Sequence, residues 1–367
     1  MRFSVLMFMA LLSPLAFTQT LTNPYHYNED TSADYRNLLA SNYRCDQSLI
    51  PAYKGDLVID SKYDQSDSSK SSVTSSYDSD SAQKAEHIRA LMSFIAQQSH
   101  SAIYQTSAST RARAAQCISD NLNLWAAADS LLGVKTSPTG VAQRKWFLAA
   151  IASVLMQLDS RYTDFYLDSR INNWLDDLAY QVVDDYNYRL EAESDRINNH
   201  DYWAAWSVAA RALLSDDTRL LQWSEDVFDF AMSQIVLHKS TGLGYLPREL
   251  DRGSLAANYH NYAMVPLMYL ADALVLNGKD ITPYRDQLGA LASLTTRFVV
   301  DTNSLDSYIG AKQKSVSPGK SVWILPYAVL FGIDENVNSI LKANKLTTEY
   351  SQMGGDLWSF YQSRVSQ

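Results

Sequence analysis

The chain has 367 residues and a formal net charge of −9 at pH 7. This length accommodates one large or two medium domains. The acidic balance disfavours nucleic acid as the main partner, because nucleic-acid-binding proteins usually carry a basic footprint. It still allows a polyanionic ligand, provided that a local cleft is basic.

The first element in chain order is an apolar N-terminal segment. Residues 1–20 contain one basic residue, Arg2, followed by the run FSVLMFMALLSPLAF and small polar residues. This layout predicts a cleavable signal peptide, and the run is shorter than the ~20 apolar residues that span a bilayer. A membrane anchor is the alternative. We therefore predict a periplasmic or secreted protein with no membrane contact after cleavage.

The chain contains only two cysteines, Cys45 and Cys117. In an exported protein we expect them to form a disulfide, with two buried free thiols as the alternative. Two cysteines cannot form a structural zinc site alone, and the six histidines show no metal-ligand spacing. We therefore predict no metal and no cofactor.

A serine-rich stretch, residues 61–84, has the composition of a linker. Only about forty mature residues precede it, which is too few for a separate domain. A linker between two domains is therefore disfavoured.

Apolar residues then recur at helical spacing through most of the chain, with almost no strand-like alternation. The clearest stripes are Ile88/Leu91/Met92/Ile95, Leu175/Leu178/Val182, Trp223/Val227/Phe230 and Leu291/Leu294/Phe298. The segment RKWFLAAIASVLMQL, beginning at Arg144, is nearly all apolar, which is typical of an inner helix. We predict an all-α fold built of antiparallel helix pairs, with residues 21–367 as one domain.

Two clusters have residue types that can carry chemistry. The first, RINNHDYWAAW (residues 196–206), places Asn198, Asn199 and His200 before an apolar helical run. Helix capping explains one asparagine. An amide pair followed by histidine is more than a helix start requires.

The second cluster is ELDRGSLAANYHNYAMVPL, residues 249–267. If it is helical, Arg252 and Tyr259 lie two turns apart on one face, and Pro266 kinks or ends the helix. A guanidinium beside a phenol stabilises the phenolate and lowers the pKa of the tyrosine. The alternative is an arginine stem packed on a tyrosine ring at the surface.

Several short segments of the chain resemble those of a known enzyme family. NNHDYW (residues 198–203) and RGSLAANYHNYAMVPL (residues 252–267) resemble signature segments of the periplasmic alginate lyases of polysaccharide lyase family five. SKY at Ser61, RKW at Arg144 and WILPY at Trp323 resemble further blocks of that family. The resemblance implies an incomplete (α/α) toroid that cleaves mannuronate-rich alginate, an anionic polysaccharide, by β-elimination. It also implies that the serine-rich stretch is a mobile lid loop over the cleft.

The resemblance further implies roles for particular residues. Tyr259 would act as base and then acid, with Asn199, His200 and Arg252 neutralising the substrate carboxylate. We expect direct substrate contacts from a second set of residues, which are Lys62, Tyr63, Arg144, Lys145, Trp146, Asn198 and Trp203. A monomer is expected.

Three other functions stay open from the sequence. A lyase with broader specificity would also cleave polyglucuronate. An inverting glycosidase would need two opposed carboxylic acids, for which Glu249, Asp251, Asp184 and Asp185 are candidates without distinguishing context. The third is a periplasmic polymer-binding protein without catalysis.

Overall fold

The structure is a computed structural model that describes residues 20–27, 34–40, 42–74, 78–191 and 197–365. The predicted signal peptide falls almost entirely outside these residues. Among the described residues, no helix combines the length and apolar composition needed to cross a bilayer.

Helices make up most of the described chain. Their bounds are α1 (Tyr35–Ala40), α2 (Ser79–Tyr104), α3 (Ala108–Ala126), α4 (Pro138–Arg161), α5 (Ser169–Glu191), α6 (Asn199–Ser215), α7 (Thr218–Ser233), α8 (Pro247–Leu250), α9 (Ala256–Leu276), α10 (Arg285–Val300), α11 (Asp306–Ile309), α12 (Ile324–Phe331), α13 (Glu335–Lys342) and α14 (Trp358–Val365). Two short antiparallel hairpins accompany them, β1 (Val236–Leu237) with β2 (Gly244–Tyr245) and β3 (Glu349–Tyr350) with β4 (Gly355–Asp356). The predicted all-α fold class is confirmed.

The long helices form two concentric layers. The inner layer is α2, α4, α6, α9 and α12, in which each helix packs against the next. The outer layer is α3, α5, α7, α10 and α14, and each outer helix packs against an inner one. Between α12 and α2, the segment that holds β4 packs against α2. Helix pairs arranged around a central axis therefore give a toroid.

Residue composition explains which helices are inside. Nearly every residue of α4 from Gly140 to Leu158 is buried, as are most residues of α6 and α9. The outer helices α5, α7 and α10 carry their apolar residues on one stripe, and all the predicted stripe positions on α5 and α10 are buried. The predicted inner position of the segment that begins at Arg144 is confirmed.

The N-terminus of α4 holds the loop at residues 57–63 in place. Ser137 caps α4, and its hydroxyl oxygen also accepts a hydrogen bond from the Ile59 N–H at 3.0 Å. Gly140 is required there because an added Cβ would lie 1.7 Å from the Leu57 carbonyl oxygen. This close contact directs residues 60–63 across the mouth of the toroid.

Cys45 and Cys117 form a disulfide that joins the N-terminal loop to the buried face of α3. The predicted pairing is confirmed.

Candidate active site

A cavity of about 340 Å³ opens at the end of the toroid where α4 and α6 begin. Its walls are the loop at residues 60–70, the first turns of α4 and α6, and the segment from Arg252 to Tyr262. The sequence predicts eleven residues that act directly on substrate, and seven of them line this cavity. These are Lys62, Tyr63, Trp146, Asn199, His200, Arg252 and Tyr259.

The start of α6 positions the amide and the imidazole. The Asn198 side chain accepts the backbone N–H of His200 at 2.9 Å, and the Asp201 carboxylate accepts the Asn198 N–H at 2.9 Å. This is a capping box, which fixes the first turn of the helix. Asn199 and His200 follow the cap and line the cavity.

Glu249 holds the Asn199 side chain from behind. Asn199 Nδ2 lies 3.0 Å from both Glu249 carboxylate oxygens, and the Asn199 backbone N–H donates to one of them at 2.8 Å. The Asn199 Oδ1 atom is buried without a hydrogen-bond partner. Burial raises the pKa of Glu249 to about 7, against the hydrogen bonds from Asn199. While Glu249 is ionised, the Asn199 Nδ2 group is bound to its carboxylate. Asn199 then presents the acceptor Oδ1 to the cavity and not an N–H donor.

His200 is held between the cavity and a buried lysine. Its Nδ1 atom lies 2.7 Å from Lys145 Nζ, and its ring lies against Trp146 with 5.7 Å between ring centres. Burial lowers the pKa of His200 well below its usual value, and the nearby positive charge of Lys145 acts in the same direction. The imidazole is therefore neutral at physiological pH.

Arg252 and Tyr259 meet by a route that differs from the expected one. The chain from Pro247 to Leu276 is not one helix, because α8 ends at Leu250 and a 3₁₀ turn at Gly253–Leu255 precedes α9. Gly253 breaks the helix with φ at +52°. Arg252 then folds back so that its guanidinium carbon lies 3.7 Å from the centre of the Tyr259 ring. The predicted shared helix face is wrong, but the predicted proximity is found.

Pro266 does not end this helix, because it lies inside α9.

The expected low pKa of Tyr259 is also wrong for this state of the protein. Burial raises the pKa of Tyr259 above its usual value, and the hydrogen bond that Tyr259 donates to the Tyr63 hydroxyl at 3.1 Å adds to the rise. Arg252 lowers it, but by less than burial raises it. Tyr259 is therefore protonated before substrate enters, and Arg252 reduces the free energy needed to ionise it.

The lid loop lies across the cavity. Its two strands meet at a β-bridge between Tyr63 and Val73, and the Asp67 carboxylate accepts backbone N–H groups from Ser69, Ser71 and Ser72 at 2.9 Å each. The serines therefore build the turn around one carboxylate. The predicted end of the loop at Lys84 is wrong, because Asp78 caps α2 and residues 79–84 are helical.

Two cations hold the loop from the opposite side of the cavity. Arg252 Nη2 donates to the Lys70 carbonyl oxygen at 2.9 Å, and Lys314 Nζ donates to the Ser71 carbonyl oxygen at 3.4 Å. With the bond between Tyr259 and Tyr63, the lid loop contacts two of the four predicted catalytic residues. In the described residues the loop therefore lies against the cavity and contacts its predicted catalytic groups.

The chain is similar in sequence to alginate lyases. A family model described as alginate lyase matches residues 58–305, which include every cavity residue named above. The chain is 30% identical over 374 residues to an alginate lyase of Pseudomonas syringae pv. tomato, covering 97% of this chain and 93% of the relative. The chain belongs to the alginate lyase family. An alginate lyase of Cobetia marina is 29% identical and covers 86% of this chain and 83% of its own length.

Solved structures show the fold of the alginate lyase family in this chain. Alginate lyase A1-III from Sphingomonas species A1 aligns with a TM-score of 0.67 at 20% sequence identity over 91% of both chains. A variant of that lyase complexed with tetrasaccharide aligns with a TM-score of 0.69 at 18% identity, over 94% of this chain and 98% of that one. The predicted (α/α) toroid is confirmed.

Four residues of this alginate lyase family member were expected to contact substrate and do not line the cavity. Arg144 is buried in an ion pair with Asp185 and donates to the Leu131 carbonyl oxygen at 2.9 Å. Lys145 lies behind His200, so its Nζ faces the ring and not the cavity. Both positions are inward because they are on the buried face of α4.

The other two of the four belong to α6. Asn198 uses its side chain to cap the helix, and Trp203 is fully buried with its indole N–H donating to the Tyr262 carbonyl oxygen at 3.2 Å. The placement of all four residues contradicts direct substrate contact.

The site also contains residues that the sequence analysis missed. Lys320 Nζ lies 5.4 Å from the centre of the Tyr259 ring and 4.6 Å from that of Tyr262. Burial lowers its pKa to about 8, and the positive charges of Lys62 and Arg252 act in the same direction. In the sequence Lys320 ends an SPGK turn signal, and only its closeness to the WILPY block could have drawn attention to it.

The outer part of the cavity adds three more unpredicted polar side chains, those of Lys70, Arg89 and Gln143. With Lys62 and Arg252, four positively charged side chains line a cavity in a protein of net negative charge. This is the local basic cleft that a polyanionic ligand requires.

Proposed function

We propose that the protein cleaves mannuronate-rich alginate by β-elimination and leaves a 4,5-unsaturated uronate at the new end. The observation that carries this proposal is the position of the Tyr259 hydroxyl in a cationic cavity, with Arg252 stacked on its ring and His200 and Asn199 on the same cavity wall. Cations suit a polymer with one carboxylate on each sugar.

The first requirement of the reaction is an acidic C5 proton. The neighbouring carboxylate suppresses that acidity until its charge is neutralised by hydrogen bonds and cations. Arg252 and His200 support this role directly. Asn199 contributes an N–H when Glu249 is protonated, because the Glu249 hydroxyl then donates to Oδ1 and frees the amide group to turn toward the cavity.

The second requirement is proton transfer. Tyr259 first loses its own proton to solvent, and the phenolate oxygen then takes the C5 proton. The electrons of the C5–H bond form the C4–C5 double bond, and the C4–O4 bond breaks. The same tyrosine then gives the proton to the departing O4. In mannuronate the C5 hydrogen and O4 lie on the same face of the ring, so one residue can serve both steps. In guluronate they lie on opposite faces.

The described residues give little support to the inverting glycosidase. Glu249 is committed to Asn199, and Asp185 is paired with Arg144. Among the described residues that line the cavity, Asp60 is the single acidic one. Inverting hydrolysis needs two opposed carboxyl groups about 6.5–9.5 Å apart.

Replacing the reacting hydroxyl tests the proposal. Purified protein is incubated with polymannuronate, polyguluronate, polyglucuronate and hyaluronan while ultraviolet absorbance reports the conjugated double bond. We expect polymannuronate to react fastest, and Tyr259→Phe to reduce kcat by about 10²–10⁴-fold, the usual contribution of a general acid–base group. Tyr188→Phe, an exposed position on α5, is the matched control with unchanged turnover.

Each alternative has its own signature in this assay. Near-normal turnover of Tyr259→Phe removes the role of this tyrosine. New reducing ends without ultraviolet absorbance indicate hydrolysis. Equal rates on polyglucuronate and polymannuronate indicate broader specificity. The absence of both absorbance and new reducing ends indicates a protein that binds the polymer without cleaving it.

A further inference from the structure

The two ring nitrogens of His200 face different surroundings. Nδ1 lies 2.7 Å from Lys145 Nζ, on the side of the protein interior, and the ring forms part of the cavity wall. In a neutral imidazole one nitrogen carries the proton and the other accepts, and the hydrogen bond at one nitrogen decides the state of the other. Lys145 is therefore in a position to select the tautomer.

The surroundings of Lys145 favour a donor at this position. Lys145 is fully buried, and its Nζ lies 2.7 Å from the Tyr186 hydroxyl. It also lies 4.8 Å from the centre of the Trp146 ring and 5.0 Å from that of Tyr186. Aromatic faces attract an ammonium group, which has three N–H donors and no lone pair.

The charges around this lysine come from two neighbouring helices, α5 and α6. Burial lowers the pKa of Lys145 well below its usual value, while Asp201 on α6 and Asp185 on α5 oppose that shift and Arg189 on α5 adds to it. A neutral amine still has two N–H groups, which match its two partners, Tyr186 and His200. Lys145 can donate to Nδ1 in both charge states.

We propose that Lys145 is a positioning residue that holds His200 in the neutral Nε2–H tautomer. The ring then presents a hydrogen-bond donor to the cavity and has no free lone pair there. Its chemistry is that of an electrophile for a carboxylate and not that of a general base.

The tautomer has a consequence for specificity, and this part rests on the proposed function. Elimination from guluronate needs a base on the ring face opposite Tyr259, and His200 cannot be that base while Nε2 carries its proton. The contact with Lys145 thus restricts the enzyme to uronates whose C5 hydrogen and O4 share a face.

The ring can be observed directly in the unmodified protein. Protein labelled with ¹⁵N in its histidine rings is recorded by long-range ¹H–¹⁵N correlation near pH 7.5, and His200→Gln identifies the His200 signals by their loss. We expect an unprotonated shift for Nδ1 and a protonated shift for Nε2. The opposite pattern, averaged shifts or an imidazolium pattern would each overturn the proposal. The spectrum does not depend on any activity.

Lys145→Met then tests the cause. It retains a linear side chain without donors, so we expect the His200 shifts to move toward the average of two tautomers and the ratio of polyguluronate to polymannuronate turnover to rise. Arg211→Met is the matched control, because Arg211 is another buried cation, paired with Asp176 and remote from the cavity wall. It should leave the His200 shifts in place. Unchanged shifts in a folded Lys145→Met variant would contradict the role of Lys145.

Discussion

Lys320 and Arg252 both lie close to the Tyr259 ring, where a positive charge favours the phenolate. Arg252 is 3.7 Å and Lys320 is 5.4 Å from the centre of the Tyr259 ring. Burial makes the phenolate costly, so each nearby cation lowers the barrier to forming it. The loss of either charge should therefore slow the reaction.

The pH profile can isolate the contribution of Lys320. Its pKa of about 8 means that the charge is present below that pH and is lost as pH rises through it. We expect kcat/KM of the wild type to fall above about pH 8. Lys320→Gln should lower kcat/KM at pH 7 by about tenfold, or ~1.4 kcal/mol, and abolish the fall. Lys320→Arg is the control that keeps the charge and moves the fall to higher pH.

Initial rates on polymannuronate between about pH 6 and 10 give this profile, because the pH dependence of kcat/KM reports the groups of the free enzyme. The same alkaline fall in Lys320→Gln would assign it to another group.

Glu249 makes the folded protein sensitive to pH. Its pKa is raised from 4.5 to about 7 on folding, so the folded state holds the proton more tightly than the unfolded state. The resulting stability is fully present below about pH 4.5 and is lost as pH rises to about 7, a change on the order of 3 kcal/mol. Glu249→Gln removes this titration.

Urea unfolding at about pH 5 and pH 8 measures the effect. The loss of unfolding free energy between the two pH values should be smaller in Glu249→Gln than in the wild type. An equal loss in both proteins would mean that other groups, such as Asp201 with its pKa of about 6, carry the whole dependence.

At the scale of elements, the lid loop and the helix that follows it are separate units. Residues 64–72 contact the rest of the protein mainly through backbone carbonyl groups, which accept hydrogen bonds from the Arg252 and Lys314 side chains. Little apolar surface is buried by this segment, so its removal should cost little stability. The contact of this segment with Arg252 lies at the reacting groups, next to the hydrogen bond that Tyr259 donates to Tyr63.

Replacing residues 64–72 by Gly-Gly joins the bridge partners Tyr63 and Val73 through a two-residue turn. We expect turnover of polymannuronate to fall by about tenfold or more, because the closed site that positions substrate and excludes water is lost. The melting temperature should change by only a few degrees. A variant that unfolds early but keeps its specific activity would make the loop a structural connector.

At the scale of the whole molecule, one covalent bond holds the N-terminal segment to the helical body. Cys45 and Cys117 are 72 residues apart in sequence. Closing a loop of that length removes entropy from the unfolded chain worth about 4 kcal/mol. Cys45→Ala with Cys117→Ala should lower the unfolding free energy by that order in urea. The reduced wild type should match the double variant, and a difference between the two would point to packing changes at the substituted positions.

The sequence predicts the toroid and the content of its active site better than the geometry of that site. The apolar stripes identify helices, and the two signature segments bring Asn199, His200, Arg252 and Tyr259 to one cavity. Composition cannot show which of two adjacent residues faces inward, as with Lys145 and Trp146 on α4. Nor can it show that burial outweighs Arg252 at Tyr259, because that balance depends on long-range packing.

The latch on the lid loop uses backbone oxygen. Arg252 and Lys314 bind the carbonyl groups of residues 70 and 71, and every residue type carries that group. Substituting the Lys70 or Ser71 side chain therefore leaves the bonded oxygens in place as long as the backbone keeps its path, which includes a positive φ of 48° at Lys70. Loss of the Arg252 or Lys314 side chain would remove the latch. The contacts that hold the loop against the cavity thus depend on two distant cations and on the course of the backbone, and not on the side chains of residues 70 and 71.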